Sequence, residues 1–515
     1  MRPNEVAVAT TSQGAADAAA EIGDLGGNAV DCAIAAAMHS VNTEPGVCAL
    51  AGSAYVTVWP AGEDPCTIDG NVAVPGMGLP AAHRPGVESV QMEYGGGVET
   101  VIGAASVAVP GTPAALHLAS RRFGKIAWRD LLRPAIRAAR NGFPLSAACH
   151  YYLEYSGESI FGRSEDGYRA LHDSGGKLFD ARSNIIVPHL ADSLTALAEE
   201  GSRLFYEGDI AAVIAQHIQE RDGLLTLEDL RRYQPLVRDS LLVDVGDWKI
   251  ATNPPPAVGG PILAAMLLAF ERQPVAQWDD DALQLLLRVQ QAVLSYRKHR
   301  LDLSDDVPCD AARLLQLARA GDLLSRWTSG STVHTSAVDN SGLCCAITAS
   351  SGYGSGEMPA GTGLWLNNCL GELELNRKGL DAAPPGRRLP SNMAPSAARS
   401  AGAVLAIGSP GADRITTALH QFLINYIQLG HSLADAIAQP RMHLEIDGTN
   451  LKIAVEPGLP LPDYGIPVKK YAEIGMYFGG VVAALFDARD GFAAAADPRR
   501  EGGTFISCQP MENSR

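Results

Sequence analysis

The sequence predicts a layered α/β body in which helices cover both faces of stacked sheets. The first forty residues alternate short strand-like and helix-like patterns. A strand-rich region begins near residue 330 and is followed by further helices and strands. Strands flanked by amphipathic helices pack as layers. With 515 residues, 46% of them hydrophobic, the chain can bury a large core, which excludes a disordered protein.

Apolar spacing and turn residues define the elements of the first half. Glu5–Thr10 is predicted as a strand and Ser12–Leu25 as a helix that stops at the Gly26–Gly27 pair. Asn28 opens the next helix, Ala29–His39. Helical spacing is also predicted over Phe123–Gly142, Ile185–Arg221, Gly260–Phe270 and Asp279–Leu301.

A β-hairpin is predicted where the character of the sequence changes. Thr332–Val338 alternates as a strand, Asp339–Gly342 is a strong turn signal, and Leu343–Ala349 is a second apolar strand. The remaining predictions are helices over Ile415–Tyr426 and Ser432–Ala438 and several strands within Leu451–Ile506.

Charge and cysteine usage narrow the class of protein. The formal net charge of −16 argues against nucleic acid or an anionic membrane as a partner. The first residues show no charged segment followed by an apolar one, as a secretory signal would, so we expect a cytoplasmic protein. The nine cysteines form no CxxC pair, which argues against a disulfide framework or a zinc site.

Nine short motifs follow one another in a fixed order along the chain. They are Leu25–Asp31, Val109–Thr112, Phe205–Gly208, Pro255–Gly260, Thr332–Asp339, Gly361–Asn368, Met393–Pro395, Gly408–Gly411 and Asp497–Gly502. The most informative reads Thr332-Val-His-Thr-Ser-Ala-Val-Asp339. It resembles the Thr-x-His-x-Ser-x-Val-Asp start of the small subunit in the γ-glutamyltranspeptidase family. Because the motifs occur together and in order, the chain is identified as a divergent, signal-less member of this family of N-terminal-nucleophile (Ntn) hydrolases.

The resemblance implies an α+β fold, the four-layer αββα sandwich, and a precursor that cuts itself between Ser331 and Thr332. The fragments, 1–331 and 332–515, would remain associated as one interwoven heterodimeric domain, and whether such pairs dimerise further stays open. Cleavage has a chemical purpose, because a threonine hydroxyl is a poor nucleophile without a base. The new α-amine, with a pKa of roughly 7.7–8.0, can act as that base.

The resemblance also assigns the catalytic roles. Thr332 would be the nucleophile, and Ser350 would position its amine. Backbone N–H groups of Gly411 and Ala412 would stabilise the oxyanion, a contribution of roughly 3–4 kcal/mol. The family has a second glycine where this chain has Ala412, which would be strained if that position requires a positive φ.

The residues expected to bind the substrate depart from the family pattern. They are Asn71, Asn368, Cys369, Glu372, Ser391 and Asn392. Asn71 stands where the family has an arginine, whose planar fork suits a carboxylate. Cys369 and Glu372 replace the groups that contact the substrate amine, and Ser391-Asn392 replaces a Ser-Ser pair. We therefore do not expect glutathione to be the small-molecule substrate.

Three functions stay open at this point. The first is hydrolysis of an amide or acyl bond of a small acid, such as oxamate, through an acyl-threonine. The second is hydrolysis of a carbon–carbon bond next to a carbonyl, as in actinomycete antibiotic pathways that mature an alkylproline. The third is an inert family member with a binding role. None of them needs a cofactor or metal, and His334 is interpreted as a hydrogen-bond partner rather than a metal ligand.

Overall fold

The fold is built on antiparallel strands. A computed structural model describes residues 5–80, 83–93, 97–321, 332–380, 383–447 and 450–507. In chain order, the strands β1–β20 of these residues are Val6–Thr10, Ser53–Trp59, Cys66–Gly70, Glu88–Met92, Val98–Ile102, Phe143–Pro144, Asn184–Ile185, Leu236–Asp239, Leu241–Val245, Trp248–Thr252, Val333–Asp339, Cys344–Ser350, Ser396–Ser400, Ala403–Gly408, Met442–Asp447, Asn450–Val455, Val468–Lys470, Val482–Asp487, Gly491–Ala496 and Gly503–Ile506.

Helices connect and cover these strands. In chain order, the helices α1–α16 are Gln13–Asp24, Ala29–Thr43, Thr112–Phe123, Trp128–Leu131, Arg133–Asn141, Ala147–Ser156, Glu165–Leu171, Leu190–Glu200, Arg203–Glu207, Asp209–Gln219, Leu227–Arg232, Gly259–Glu271, Asp280–His299, Val307–Ala320, Arg414–Leu423 and Leu433–Ala438. Within the described ranges, every helix is too short or too polar to cross a bilayer.

Two antiparallel sheets form the centre of the molecule. The first has the order β20-β1-β11-β12-β2-β3-β8, and the second β19-β18-β14-β13-β10-β9. They stack face to face, with β11 packed on β14 and β18. Small side chains such as Ala7, Ala251, Ala397 and Ala406 fill the space between them. Such side chains let the sheets approach closely.

Helices bury the two outer faces, which completes the four layers. Helices α1, α2 and α3 pack on the first sheet, and α12 packs on the second and on α13, α14 and α15. Each helix-to-sheet interface has its own apolar core. The predicted α+β, four-layer αββα sandwich is thereby confirmed.

Most of the strongly patterned elements lie where the sequence predicts them. The helix predicted over Ala29–His39 runs to Thr43, and the predicted hairpin is β11 and β12. The mostly helical spacing predicted over Ile185–Arg221 corresponds to three helices, α8, α9 and α10, which are separated by turns. The sequence analysis did not predict α3 or the strands β2, β3, β9 and β10.

The motif Leu25–Asp31 has a structural role. Gly26 has a φ of +85°, which ends α1, and Asn28 and Asp31 form a capping box that opens α2. Asp31 also accepts a hydrogen bond from the backbone N–H of Lys125 at 2.9 Å. The motif thus fixes where α1 ends and where α2 begins.

Candidate active site

Thr332, Ser350 and Ser53 lie in one row across three neighbouring strands. Val333 pairs with Ala349 across β11 and β12, so one further step in this register places Thr332 opposite Ser350. Ser350 in turn pairs with Ser53 of β2, whose hydroxyl donates to the Ser350 carbonyl at 3.0 Å. The sequence analysis did not single out Ser53 as a site residue. Sheet register therefore decides which hydroxyl groups surround Thr332.

A cavity of about 350 Å³ opens at this row. It is lined by eight of the predicted site residues, namely Asn71, Thr332, Ser350, Cys369, Glu372, Ser391, Asn392 and Ala412, and by Ser53, Val72, Leu375, Pro390 and Met393. Residues as far apart in sequence as Ser53 and Ala412 thus face one space. Within the part of the chain that the structure describes, the lining contains polar and acidic side chains and no lysine, arginine or histidine.

The turn at Gly411 and Ala412 has left-handed backbone geometry. Gly411 has a φ of +119° and Ala412 a φ of +70°. A Cβ atom at position 411 would lie 2.5 Å from the Gly479 Cα, so only glycine fits there. Within the described residues, neither backbone N–H donates a hydrogen bond to the protein. The turn thus presents two N–H groups, and Ala412 holds the strained geometry that its replacement of glycine predicts.

A buried ion network supports this turn from behind. The Asp413 carboxylate accepts hydrogen bonds from Arg297 at 2.7 Å and from the Asn392 amide at 3.0 Å. Arg297 also donates to Asp302 at 3.1 Å. Burial alone would raise the pKa of Asp413, but the charges of Arg297 and Lys298 outweigh it and hold that pKa below its usual value. The network joins the cavity wall to the turn.

His334 bonds two hydroxyl groups of its own sheet, and one of them, on Ser336, bonds across to the second sheet. Its Nδ1 lies 2.7 Å from the Thr348 hydroxyl, and its Nε2 lies 3.0 Å from the Ser336 hydroxyl. Because Ser336 donates to the Val482 carbonyl, it accepts from Nε2–H, and Nδ1 accepts from Thr348. Burial lowers the pKa of His334 to about 3, so the ring is neutral. The interpretation of His334 as a hydrogen-bond partner is confirmed.

A buried acid, Glu372, and a partly buried one, Glu374, stand on one side of the cavity. Glu372 lines the cavity beside Cys369, and Glu374 accepts a hydrogen bond from the Tyr353 hydroxyl at 2.7 Å. Burial first, and the neighbouring charge of Glu374 second, raise the pKa of Glu372 well above its usual value. Burial likewise raises the pKa of the Cys369 thiol. This wall is therefore poorly suited to hold a negatively charged group.

Asn71 occupies the position where the family arginine is expected. Its side chain donates to the Leu389 carbonyl at 2.6 Å, which ties the strand end to the loop before Ser391. Two arginines approach from behind, but Arg238 pairs with Asp69 at 2.7 Å and Arg388 lies 3.6 Å from the same carboxylate. Neither lines the cavity. Their charge is thus directed to a buried acid.

Asn368 is not brought to the cavity. Its carbonyl oxygen accepts hydrogen bonds from the backbone N–H groups of Tyr353 and Gly354, at 2.7 and 3.1 Å. Its amide nitrogen donates to the Thr100 hydroxyl at 2.9 Å. Because both ends of the Asn368 side chain are hydrogen-bonded within the protein, no polar atom is left to contact a substrate. In this structure Asn368 holds the loop at Tyr353 and Gly354 instead of lining the cavity as expected.

The predicted scissile bond cannot be placed. Ser331 lies outside the described residues, whereas Thr332 is described and only 3% exposed. Among the described residues, no three His, Cys, Asp or Glu side chains are arranged to hold a metal ion.

Two stacked sheets between helical layers, with a buried threonine at the start of an inner strand, define an Ntn-hydrolase fold. The sequence model of the γ-glutamyltranspeptidase family matches residues 15–507, and the chain belongs to this family. Its members are hydrolases and transferases, so the chain is an enzyme of that class.

Several known proteins show the relationship. A glutathione hydrolase proenzyme of Pseudomonas aeruginosa is 29% identical over 477 residues, which covers 85% of this chain and 83% of the relative. The capsule biosynthesis protein CapD proenzyme of Bacillus anthracis is 27% identical and covers 78% and 76%. A solved cephalosporin acylase from Bacillus halodurans, 22% identical, matches 99% of this chain and 96% of its own with a TM-score of 0.78. That last likeness shows a shared fold.

Proposed function

We propose that the chain cuts its own backbone before Thr332 and then uses the exposed threonine to hydrolyse an amide or ester bond of a small acyl substrate. The observation that supports this most is the position of Thr332. It lies at the start of an inner strand, opposite Ser350, in a cavity that also contains the turn at Ala412. This grouping supports Thr332 as the nucleophile, Ser350 as the hydroxyl that positions its amine, and Ala412 as an oxyanion donor.

Self-cleavage would use the Thr332 hydroxyl as catalysis does, but before the free α-amine exists. The Thr332 hydroxyl attacks the carbonyl carbon of Ser331, and the peptide nitrogen of Thr332 leaves that carbon, which converts the amide to an ester. That shift frees the Thr332 amine, which takes up the proton of the hydroxyl. Water then hydrolyses the ester, which releases the Ser331 carboxylate and restores the Thr332 hydroxyl. Two relatives of this chain are named proenzymes, which supports the proposal.

Substrate hydrolysis would follow in two steps. The Thr332 amine takes the proton of the hydroxyl, whose oxygen attacks the substrate carbonyl, and the backbone N–H groups of Gly411 and Ala412 stabilise the resulting oxyanion. The amine then returns the proton to the leaving nitrogen or oxygen. Water attacks the acyl-threonine by the same route and releases the acid. Ser350 would orient the amine during both steps.

The sheet pairings are compatible with a cut at this position. The first sheet contains β1, β2, β3 and β8 from one side of the cut and β11, β12 and β20 from the other. In the second sheet β10 pairs with β13 across the same division. Backbone hydrogen bonds and a shared core would therefore hold fragments 1–331 and 332–515 together as a heterodimer.

The cavity favours an acyl group without a charged end close to the reacting carbonyl. No cation of the described residues lines it, and a buried acid, Glu372, stands on one wall. An anion left there without a partner would lose several kcal/mol of binding. We therefore propose that γ-glutamyl compounds are poor substrates and that Asn71, Ser391 and Asn392 contact the acyl group through neutral hydrogen bonds.

Mass spectrometry and assay of the purified protein test this function. Intact mass should show two chains, and N-terminal sequencing of the smaller should begin at Thr332. Acyl p-nitroanilides should then be cleaved faster than γ-glutamyl p-nitroanilide. A single full-length band that persists on storage would favour the inert, binding-only alternative, and cleavage of a 1,3-diketone without anilide cleavage would favour carbon–carbon hydrolysis.

A further inference from the structure

A second cavity adjoins the candidate active site. Leu375 and Pro390 line both spaces, so the cavities meet at these two side chains. The second space is the larger, about 640 Å³ against about 350 Å³, and Thr332 lines only the smaller one. A ligand held at Thr332 would have to pass Leu375 and Pro390 to enter the second space.

The inner wall of this second cavity is apolar. It is formed by Val74, Leu301, Val307, Leu370, Leu380 and Leu389. Most of these side chains are buried in the fold, and none carries a polar group that a ligand could pair with. Such a surface binds aliphatic or aromatic groups by removing them from water.

The rim of the same cavity is cationic. Arg377, Lys378 and Arg387 line it, and the side chains of Arg377 and Lys378 are 29% and 33% exposed. Asp305 is the exposed acid among the lining residues, because Asp302 is fully buried and bonded to Arg297. Arg377 lies 3.6 Å from Asp302, Lys378 pairs with Asp305, and Arg387 donates to the Asp305 carbonyl at 3.1 Å. The cations still outnumber the one exposed carboxylate, on a chain whose net charge is −16.

We propose that the second cavity binds the far end of the acyl group, and that the enzyme acts on acyl groups with an apolar chain ending in a carboxylate. This proposal rests on the proposed function, since the acyl carbonyl must lie at Thr332. Among the described residues, no cation lines the smaller cavity, whereas Arg377, Lys378 and Arg387 lie at the rim of the larger one. Guanidinium groups bind a carboxylate in two parallel hydrogen bonds. On this proposal, the site that binds the substrate carboxylate has moved from the position of the family arginine to the rim, farther from the reacting carbonyl of the substrate.

A series of p-nitroanilides tests the proposal. Succinyl, glutaryl, adipyl and suberyl anilides differ in chain length, and hexanoyl anilide matches the adipyl chain length without the terminal carboxylate. We expect kcat/KM to rise roughly fourfold for each methylene that enters the apolar space. The adipyl compound should exceed the hexanoyl one by about tenfold or more. Equal rates across the series, or a preference for hexanoyl, would overturn the proposal.

Two variants locate the effect. Ala383 lines the second cavity and not the first, so Ala383→Trp should fill it and reduce the ratio of suberyl to acetyl hydrolysis. Arg387→Gln should reduce the ratio of adipyl to hexanoyl hydrolysis without filling the space. Arg129→Gln, an exposed arginine outside both cavities, is the control and should change neither ratio. Unchanged ratios in both cavity variants would contradict the proposal.

Calorimetric titration with free suberate separates this proposal from the proposed function. Binding to the wild-type protein that weakens in Ala383→Trp and Arg387→Gln supports the second cavity, even if no anilide is cleaved and the proposed chemistry fails. If anilides are cleaved with no preference for chain length or charge, and suberate does not bind, then the proposed role of the second cavity is wrong while the proposed function stands.

Discussion

The two sides of the candidate active site are built in different ways. On the nucleophile side, Thr332, Ser350 and Ser53 stand on adjacent strands of one sheet, and backbone register fixes their spacing. On the acyl side, residues such as Asn71 and Glu372 come from turns and loops outside the strands. The difference indicates that loops can change the substrate while the sheet keeps the nucleophile in place.

The two sides also differ in their use of charge. Around the nucleophile the groups are hydroxyls and a neutral histidine, His334. Beyond the acyl side, arginines are numerous but bonded to buried acids, Arg297 to Asp413 and Arg238 to Asp69. Cations that could recognise a ligand are found at the rim of the second cavity. The cations closer to Thr332 thus pair with buried acids and stabilise the fold, whereas the cations at the rim of the second cavity are partly exposed to solvent.

The nucleophile side gives the largest expected effect. Thr332→Ala removes the hydroxyl that attacks in both proposed reactions, so the protein should remain one chain and have no hydrolytic activity. Denaturing electrophoresis and an anilide assay measure these outcomes. Ser331→Ala is the matched control, because it keeps the carbonyl under attack and should still be cleaved. A cleaved or active Thr332→Ala protein would refute the role of Thr332.

The support behind the oxyanion turn gives the next largest effect. Asp413→Ala leaves Arg297 without one of its two buried carboxylate partners and removes the acceptor of the Asn392 amide. Breaking a buried pair in this way costs about 3–5 kcal/mol, so both the melting temperature and kcat should fall. Asp305→Ala removes an exposed carboxylate and is the control. If Asp413→Ala and Asp305→Ala have the same melting temperature, the network does not support the turn.

The sequence predicted the nucleophile side better than the acyl side, for a physical reason. Alternating apolar residues and the Asp339–Gly342 turn are local signals, and they predict the hairpin that holds Thr332 opposite Ser350. Ser53 comes to that row through a strand pairing almost 300 residues distant, which no local pattern indicates. The stacking order of the strands was beyond prediction for the same reason, since it depends on long-range pairing.

Residues on loops were harder to assign. Asn368 was expected at the cavity from its motif alone, but its side chain accepts hydrogen bonds from the backbone N–H groups of Tyr353 and Gly354. Asp413 was not predicted, because its partner Arg297 lies 116 residues away and a buried ion pair has no local signature. By contrast, Ala412 was predicted to be strained, and its φ of +70° agrees, because a single backbone position decides the matter.

The acids of the acyl side give a smaller, pH-dependent effect. Burial, and then Glu374, raise the pKa of Glu372 above its usual value, so the folded protein holds this proton more tightly than the unfolded chain does. Stability is then greatest below the unfolded pKa of about 4.3 and falls as pH rises through the raised pKa. The Glu372→Gln substitution should remove this loss of stability at higher pH.

Melting temperatures at two pH values measure that effect. Glu372→Gln should melt above the wild-type protein at pH 8, and the difference should shrink at pH 5. Glu199→Gln changes an exposed helical residue and should track the wild type at both values. A Glu372→Gln protein that loses stability at pH 8 would mean that the carboxylate has a charged partner and that the acyl side is not poor in accessible cations.

The smallest expected effect lies at the turn where the two sides meet. An alanine in left-handed geometry costs about 1–2 kcal/mol, and a glycine there would lose about 0.4–1 kcal/mol through the greater freedom of the unfolded chain. Ala412→Gly should therefore stabilise the protein by about 0.5–1 kcal/mol, seen as a higher melting temperature. Ala138→Gly, inside α5, is the control of opposite sign, since glycine destabilises a helix interior by roughly 0.5–1 kcal/mol. If Ala412→Gly instead lowers the melting temperature, the methyl group contributes packing at the cavity wall that exceeds its backbone strain, and the turn belongs to the acyl side as much as to the nucleophile side.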